Sequence, residues 1–400
     1  MVRPCPVRRC RSPPRRRIAL HPTGVTEIQD DDLPEALRGL SAEEAIDPVA
    51  VVSHELHRKS TPRRVGEIVG SLSVIAVIFV FVIPAVTGSQ YTDIWEQMSR
   101  LDALEFAGLS ALWFTGMLAY TGVLVNTLPG LRRSQALTVN FAGSAVSNVL
   151  PFGGAIGVGA TYAIDMSWGF SAPSVTLSIL VSGIWNIFAK LGMPILALVL
   201  LVSTGSATGK LLVPTLIGLV ALIGAIVLLG LVLRSEALAL RIGNTAQRII
   251  AFACSKLKRR TVPQVADSIL DFRHHSIGLL KQRWWRITIW IIAFNLIQFL
   301  LLLSCCRALG IDSDTASWVE IFAAFAFARL LEAVPITPSG VGFVETGAAA
   351  ALISFGADDT AATAAVFLFR GFTYLLEIPV GSLAWIVWAS KRSWRSPQQL

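Results

Sequence analysis

The sequence predicts an all-α integral membrane protein, with about six full transmembrane helices and two proline- and glycine-broken re-entrant hairpins in an inverted repeat. Three observations predict it. Of 400 residues, 54% are hydrophobic and only 15% are charged, against about 25% charged in an ordinary soluble domain. Six stretches are long and apolar enough to cross a bilayer, which takes about 20 residues. The basic residues cluster between these stretches in a pattern that sets their direction. So few charges cannot solvate the surface of cores this apolar, which excludes a string of soluble domains.

Taken in order, residues 1–66 read as a cytoplasmic, largely disordered extension. Residues 1–17 are rich in Arg and Pro (RRCRSPPRRR). They read as a solvated basic tail or a misassigned start rather than a nucleic-acid arm, and they lack the apolar core of a signal peptide. Residues 27–58 mix acidic and apolar residues, a pattern that suits a short helix. A polytopic domain then runs from 67 to 390, followed by a cytoplasmic tail at 391–400. Within it, stretches 68–87, 106–128, 211–233 and 287–306 carry no charge. Stretch 173–203 carries Lys190, and 361–390 carries Arg370 and Glu377. Two other apolar regions are interrupted. Region 139–164 contains Pro151, Gly153, Gly154 and Gly157; region 318–356 contains Pro335, Pro338, Gly340 and Gly342. Proline removes a backbone donor and glycine weakens a helix, so neither region reads as one straight span.

Charge sets the topology. Arg58, Lys59, Arg63 and Arg64 precede the first span and place the N-terminus in the cytoplasm. Asp93, Glu96, Asp102 and Glu105 face a single Arg100 in the next loop, which is therefore outside. Arg132 and Arg133 are inside, and the loop at 234–286 is inside with eleven Lys or Arg against three acids. The number of crossings then requires region 139–164 to enter and return from the cytoplasm. Region 318–356 must enter and return from the opposite side. Lys210 is the one residue against the pattern. Irregular backbone at membrane depth needs protein cover or a cavity to line.

The two interrupted regions resemble one another. Gly157 to Pro194 is 37 residues, as is Gly342 to Pro379, and Phe170 and Phe355 share the same offset of 185. The units run roughly 106–203 and 287–390, and the topology makes them inverted. Inverted repeats with broken helices recur in transporters, with the substrate site where the repeats meet.

Charges inside a bilayer are costly, about 2.5–3.5 kcal/mol each on insertion scales, so they need a partner or a task. Lys190, Arg329, Glu332, Glu345, Arg370 and Glu377 are such charges. Arg329 and Glu332 are three residues apart and within reach of each other on a helix. Glu345 and Arg370, with Tyr374 and Glu377 beyond, support two readings. Either Arg370 binds a lipid phosphate that Glu345 orients, or the two form an ion pair pinning the second hairpin to the last span. Lys190 has the same two readings, headgroup ligand or partner of a glutamate in the other unit. Asn126, Asn140, Asn148, Asn295 and Gln298 read as helix-to-helix hydrogen bonding or polar lining. The Lys256, Lys258, Arg259 and Arg260 cluster suits anionic lipid headgroups as well as the topology signal. Cys5, Cys10, Cys254, Cys305 and Cys306 have no metal-ligand spacing. No GxSxG, HExxH or P-loop occurs, so catalysis, a metal and a cofactor are not expected.

The run VPITPSGVGFVETGAAAALISFGADDTAATAAVFLFRGFTYLLEIPVG resembles the C-terminal signature of the flippase-like family that includes the transmembrane region of lysylphosphatidylglycerol synthases. Pro335, Thr337, Pro338, Gly340, Gly342, Glu345, Gly356, Arg370, Tyr374, Pro379 and Gly381 carry the match, with Ser339 where the family has a glycine. NVLPFGGAIGVGATYA resembles the first family motif at Asn148, Pro151, Gly154 and Gly157. Val158 and Thr161–Tyr162 stand where the family often has Glu and Arg. The resemblance covers about 68–390 and implies a lipid-translocating membrane protein. The separate soluble domain that carries aminoacyl transfer in the synthases is not seen after the last span, so synthase activity is not expected.

The leading expectation is movement of a phosphate-bearing lipid, a phospholipid or a polyprenyl phosphate, between leaflets of the plasma membrane. Glu345, Arg370, Lys190, Tyr374 and Glu377 are its candidate substrate residues. The expected partners are anionic membrane lipids and not nucleic acid, with a cytoplasmic envelope-synthesis enzyme or a second copy of the chain also admitted. The rival readings are a membrane scaffold for such an enzyme and an ion-coupled carrier of a small solute.

Overall fold

A computed structural model describes residues 77–149, 153–204, 265–332 and 337–391, with isolated positions at 73, 223, 224 and 227. The expected extension 1–66, nearly all of the span at 211–233, the basic cluster at 256–260, Pro151, Pro335 and the tail beyond Lys391 lie outside the described residues. Regular structure among the described residues is helical, with no strand.

The first helix with described bounds is α1 (Ile78–Thr87), short and apolar, whose first turn is a π-helix. The segment expected to be an outside loop follows, and it is helical: α2 spans Tyr91–Ser99. The Gln97 side chain ties it to the Leu309 carbonyl at 3.1 Å, and the Tyr91 hydroxyl bonds the Phe79 carbonyl. Then come α3 (Ala103–Thr127), α4 (Arg133–Val149), α5 (Gly153–Ser167) and α6 (Ala172–Ser203). After the undescribed stretch come α7 (Val265–Ala308), α8 (Trp318–Leu331), α9 (Phe343–Ser354) and α10 (Asp359–Ser390). Helix starts follow local chemistry. Asp102 with Glu105 caps α3, and Ser317 with Glu320 caps α8, each as a reciprocal capping box.

Among the described residues, four helices are long and apolar enough to cross a membrane: Ala103–Thr127, Ala172–Ser203, Gly278–Ala308 and Asp359–Ser390. They coincide with four of the six expected spans. Proline does not end α6, because Pro194 sits inside the helix. The fourth long helix is not uniform either. A π-turn at Gly371–Leu375 interrupts α10 directly after Arg370.

The interrupted regions appear as two pairs of shorter helices, α4 with α5 and α8 with α9. The first interruption is narrower than the sequence suggests. Gly154 and Gly157, expected in the break, are helical within α5, and Gly153 is its first residue. Glycine costs a helix about 1 kcal/mol relative to alanine. Close packing offsets it here: a Cβ at Gly157 would lie 2.0 Å from the Ser147 hydroxyl of α4. In the second interruption Pro338–Gly340 form a 3₁₀ turn. Ser339, Gly340 and Gly342 there have φ of 48°, 70° and 89°. That is left-handed backbone that glycine takes readily and serine rarely does.

Small residues bring the long helices together. Gly122 of α3 lies under the Trp290 ring of α7, and Gly381 of α10 lies against the Phe141 carbonyl of α4. The core these contacts enclose runs through α3, α7, α8 and α10, around Phe299, Phe322, Phe325 and Phe369.

Candidate functional site

The two interruptions meet. The Ser339 hydroxyl donates to Asn148 Oδ1 at 2.7 Å, which joins the end of α4 to the turn before α9. The Asn148 amide in turn donates to the Tyr374 carbonyl at 3.2 Å and to Glu377 at 3.4 Å. The Tyr374 hydroxyl closes the loop on the Asn148 carbonyl at 2.7 Å. Asn148 is thus the node that ties α4, the 3₁₀ turn and α10 together. The π-turn lies between Arg370 and Glu377, so both side chains turn inward from one helix.

Arg370 and Glu345 form a buried ion pair, Nε to Oε1 at 2.8 Å. Each partner holds a second bond. Glu345 Oε2 accepts the Gly342 N–H at 2.6 Å, and Arg370 Nη2 donates to the Ser339 carbonyl at 3.1 Å. The guanidinium also lies over the Tyr374 ring at 5.2 Å. The turn that needs left-handed backbone is therefore fastened by the charge pair on both sides.

A second charged group lies on α6 and α8. Glu332 meets Arg329 at 2.5 Å and Lys190 at 3.3 Å. Arg329 extends further, to the Asn295 side chain of α7 at 3.4 Å. Two cations thus share one carboxylate, and the Nε of Arg329 has no hydrogen-bond partner.

Both groups open onto one cavity of about 510 Å³ between α3, α4, α5, α6, α7, α8 and α10. Lys190, Arg329, Glu332, Arg370 and Glu377 line it, among serines, threonines and asparagines. A second cavity of about 580 Å³ lies on the other side of the ion pair. Phe79, Ile94, Trp95, Met98 and Phe367 make its wall apolar, and Glu345, Arg370 and Tyr374 form its boundary. Arg370 lines both cavities.

The structure thus brings Lys190, Arg370 and Glu377 to one cavity wall, with Glu345 and Tyr374 at the partition behind it. Among the glycines and prolines expected at the interruptions, Pro338, Gly340 and Gly342 shape the partition, and Gly157 lines the first cavity. Asn126 and Asn295 turn back to carbonyls of their own helices, of Gly122 and Ile291. Sequence reasoning missed Asp165, which ends one apolar run, is buried, and lines the cavity. It also missed that Ser178, Ser182 and Asn186 form a polar stripe leading to Lys190. The four-residue spacing was the signal available.

Fold and site together define a multi-pass helical membrane protein with a charged, polar cavity among its spans. Residues 68–381 match the family described as the lysylphosphatidylglycerol synthase TM region, and the chain belongs to that family. That places it among membrane proteins linked to lipid biosynthesis and translocation. No curated protein matches it.

Proposed function

We propose that this protein moves a phosphate-bearing lipid between membrane leaflets. The observation that carries the reading is the pair of cavities that both reach Arg370, with its partner Glu345 on the apolar side. A polar cavity holding Lys190, Arg329 and Arg370 suits a phosphate, and an apolar one suits the chain attached to it. Charged groups gain strength in a low-dielectric cavity, so exchanging a carboxylate partner for a phosphate is a feasible step. Glu345 and Glu332 are the carboxylates exchanged; Tyr374 and Glu377 hold the turn that positions Arg370.

The reading includes two re-entrant hairpins of opposite entry related as an inverted repeat. The pairing of α4 with α5 and of α8 with α9 supports it, as does the meeting of their ends at Asn148 and Ser339. It is a transporter reading with no catalytic step, in the plasma membrane, with both termini cytoplasmic. Reporter fusions at the two ends test that orientation.

Leaflet exchange in proteoliposomes tests the function. Labelled anionic phospholipid and labelled polyprenyl phosphate are compared, with wild type beside Glu345→Ala, Arg370→Ala and Lys190→Met. The expected result is exchange of one lipid by wild type and its loss in the variants. Folded wild type that exchanges neither lipid refutes the proposal and favours the scaffold reading.

A further inference from the structure

One wall of the polar cavity carries a carboxylate and several hydroxyls, and the lipid reading does not use it. Asp165, near the end of α5, is 4% exposed and lines the cavity. Its Oδ1 has no hydrogen-bond partner, and no Lys or Arg pairs with it among the described residues. An ionised carboxylate buried at membrane depth is costly without a positive partner.

Two hydroxyls of α6 that line the same cavity have their protons engaged elsewhere. Thr127 gives its hydroxyl proton to the Leu124 carbonyl at 3.1 Å, so at 2.8 Å the Ser178 hydroxyl is the donor to Thr127. Ser182 donates to the Ile179 carbonyl at 3.1 Å. Both hydroxyls thus keep lone pairs for the cavity they line. Thr161 lies one turn before Asp165 on the same face of α5. Gly143 leaves that hydroxyl its space, since a Cβ there would lie 2.7 Å from Thr161 Oγ1.

One carboxylate and hydroxyl oxygens lining the same cavity suit a hard monovalent cation. Calcium takes 6–8 oxygen ligands, commonly with several carboxylates, and among the described residues no cluster of three acidic, His or Cys side chains exists. The amine of a lipid headgroup held at Lys190 is too far away. Lys190 lies about 27 Å along α6 from its first residue, at 1.5 Å per residue, whereas Asp165 precedes the short turn into α6.

We propose that Asp165, with the hydroxyls of Thr161 and Ser178, binds an inorganic monovalent cation, with Na⁺ as its probe. The site stands on its own geometry, and under the lipid reading it is where an ion gradient would couple to movement. The test uses the full chain in detergent. Binding of ²²Na⁺ is measured directly, and thermal unfolding is compared in Na⁺, N-methyl-D-glucamine and ethanolammonium at one pH and ionic strength. Saturable ²²Na⁺ binding and a higher Tm in Na⁺ are expected for wild type and for Lys190→Met. Both should disappear in Asp165→Asn and weaken in Thr161→Val, which removes one oxygen without touching charge. The proposal is overturned by folded wild type without saturable binding, by binding that survives Asp165→Asn, or by ethanolammonium raising Tm as far as Na⁺. It is equally overturned if lowering pH raises Tm while no cation is preferred, since Asp165 then simply carries a proton. No lipid movement is read, so this result and the exchange assay fail independently.

Discussion

Replacing Glu345 by glutamine should destabilise the protein more than replacing Arg370 by glutamine, although each change removes the same 2.8 Å ion pair. Breaking a buried pair by deleting one partner costs about 3–5 kcal/mol, because a charge is left uncompensated. The two survivors differ in what they can do about it. After Glu345→Gln the guanidinium keeps only the Ser339 carbonyl at 3.1 Å and the face of Tyr374. Arginine does not lose its proton in a protein. The Gly342 N–H also exchanges a charged acceptor at 2.6 Å for a neutral one, about 1 kcal/mol more. The sum is about 4–6 kcal/mol. After Arg370→Gln the carboxylate keeps the Gly342 N–H at 2.6 Å. That leaves the cost of the broken pair alone, about 3–5 kcal/mol.

Thermal unfolding in detergent reads the difference, at about 2–4 °C per kcal/mol for a domain of 150–250 residues. Glu345→Gln should lower Tm by about 2–4 °C more than Arg370→Gln does. The double variant should cost less than the sum of the singles by about 2 kcal/mol or more, as a double-mutant cycle for a coupled pair requires. Equal losses for the two singles would refute the reasoning, and so would an additive double variant.

Three further outcomes follow from the same contacts. Ser339→Gly relieves left-handed strain of about 1–2 kcal/mol and forfeits a hydrogen bond worth about 1 kcal/mol, so Tm should barely move; Ser339→Ala keeps the strain and loses the bond, and should cost about 1–2 kcal/mol. Glu332→Gln strands both Lys190 and Arg329, whereas Lys190→Gln leaves the 2.5 Å Arg329–Glu332 pair intact; the first should lower Tm by at least twice as much as the second. Gly381→Ala places a Cβ 2.3 Å from the Phe141 backbone carbonyl, which no side-chain rotation relieves; a loss of about 1–3 kcal/mol is expected from such overpacking, measured as Tm in the same detergent.

Much of the fold is legible in hydropathy because the bilayer imposes it. Four expected spans recur as long apolar helices, and each broken region recurs as two short ones. The legible part of the site is its charge. Lys190, Glu345 and Arg370 stand out in a sequence because an apolar run makes any charge conspicuous. What hydropathy does not carry is the pairing. Arg370 is three turns into α10 and Glu345 one turn into α9, and only the turn at Ser339 brings them together. Glycine content also misleads locally. Gly154 and Gly157 read as breakers, yet one neighbour decides for Gly157: the Ser147 hydroxyl occupies the space its side chain would need.

Asp165 escaped notice for a related reason. It stands at the boundary of an apolar run, where a carboxylate normally marks the water interface, and hydropathy cannot tell a solvated flank from a buried one. The fold resolves this by folding α5 back along α4 and starting α6 after a four-residue link. That buries Asp165 under protein. The same geometry bears on the first motif, in which Val158 and Thr161 stand where the family often has charges. A cavity is charged by whichever side chains its walls present, not by the motif that names it. Here α6 supplies a cation at Lys190 and the end of α5 supplies an anion at Asp165, while the motif itself contributes close packing through Gly157 and a hydroxyl at Thr161. The first half thus lines the cavity with a cation and an anion that lie to either side of the motif.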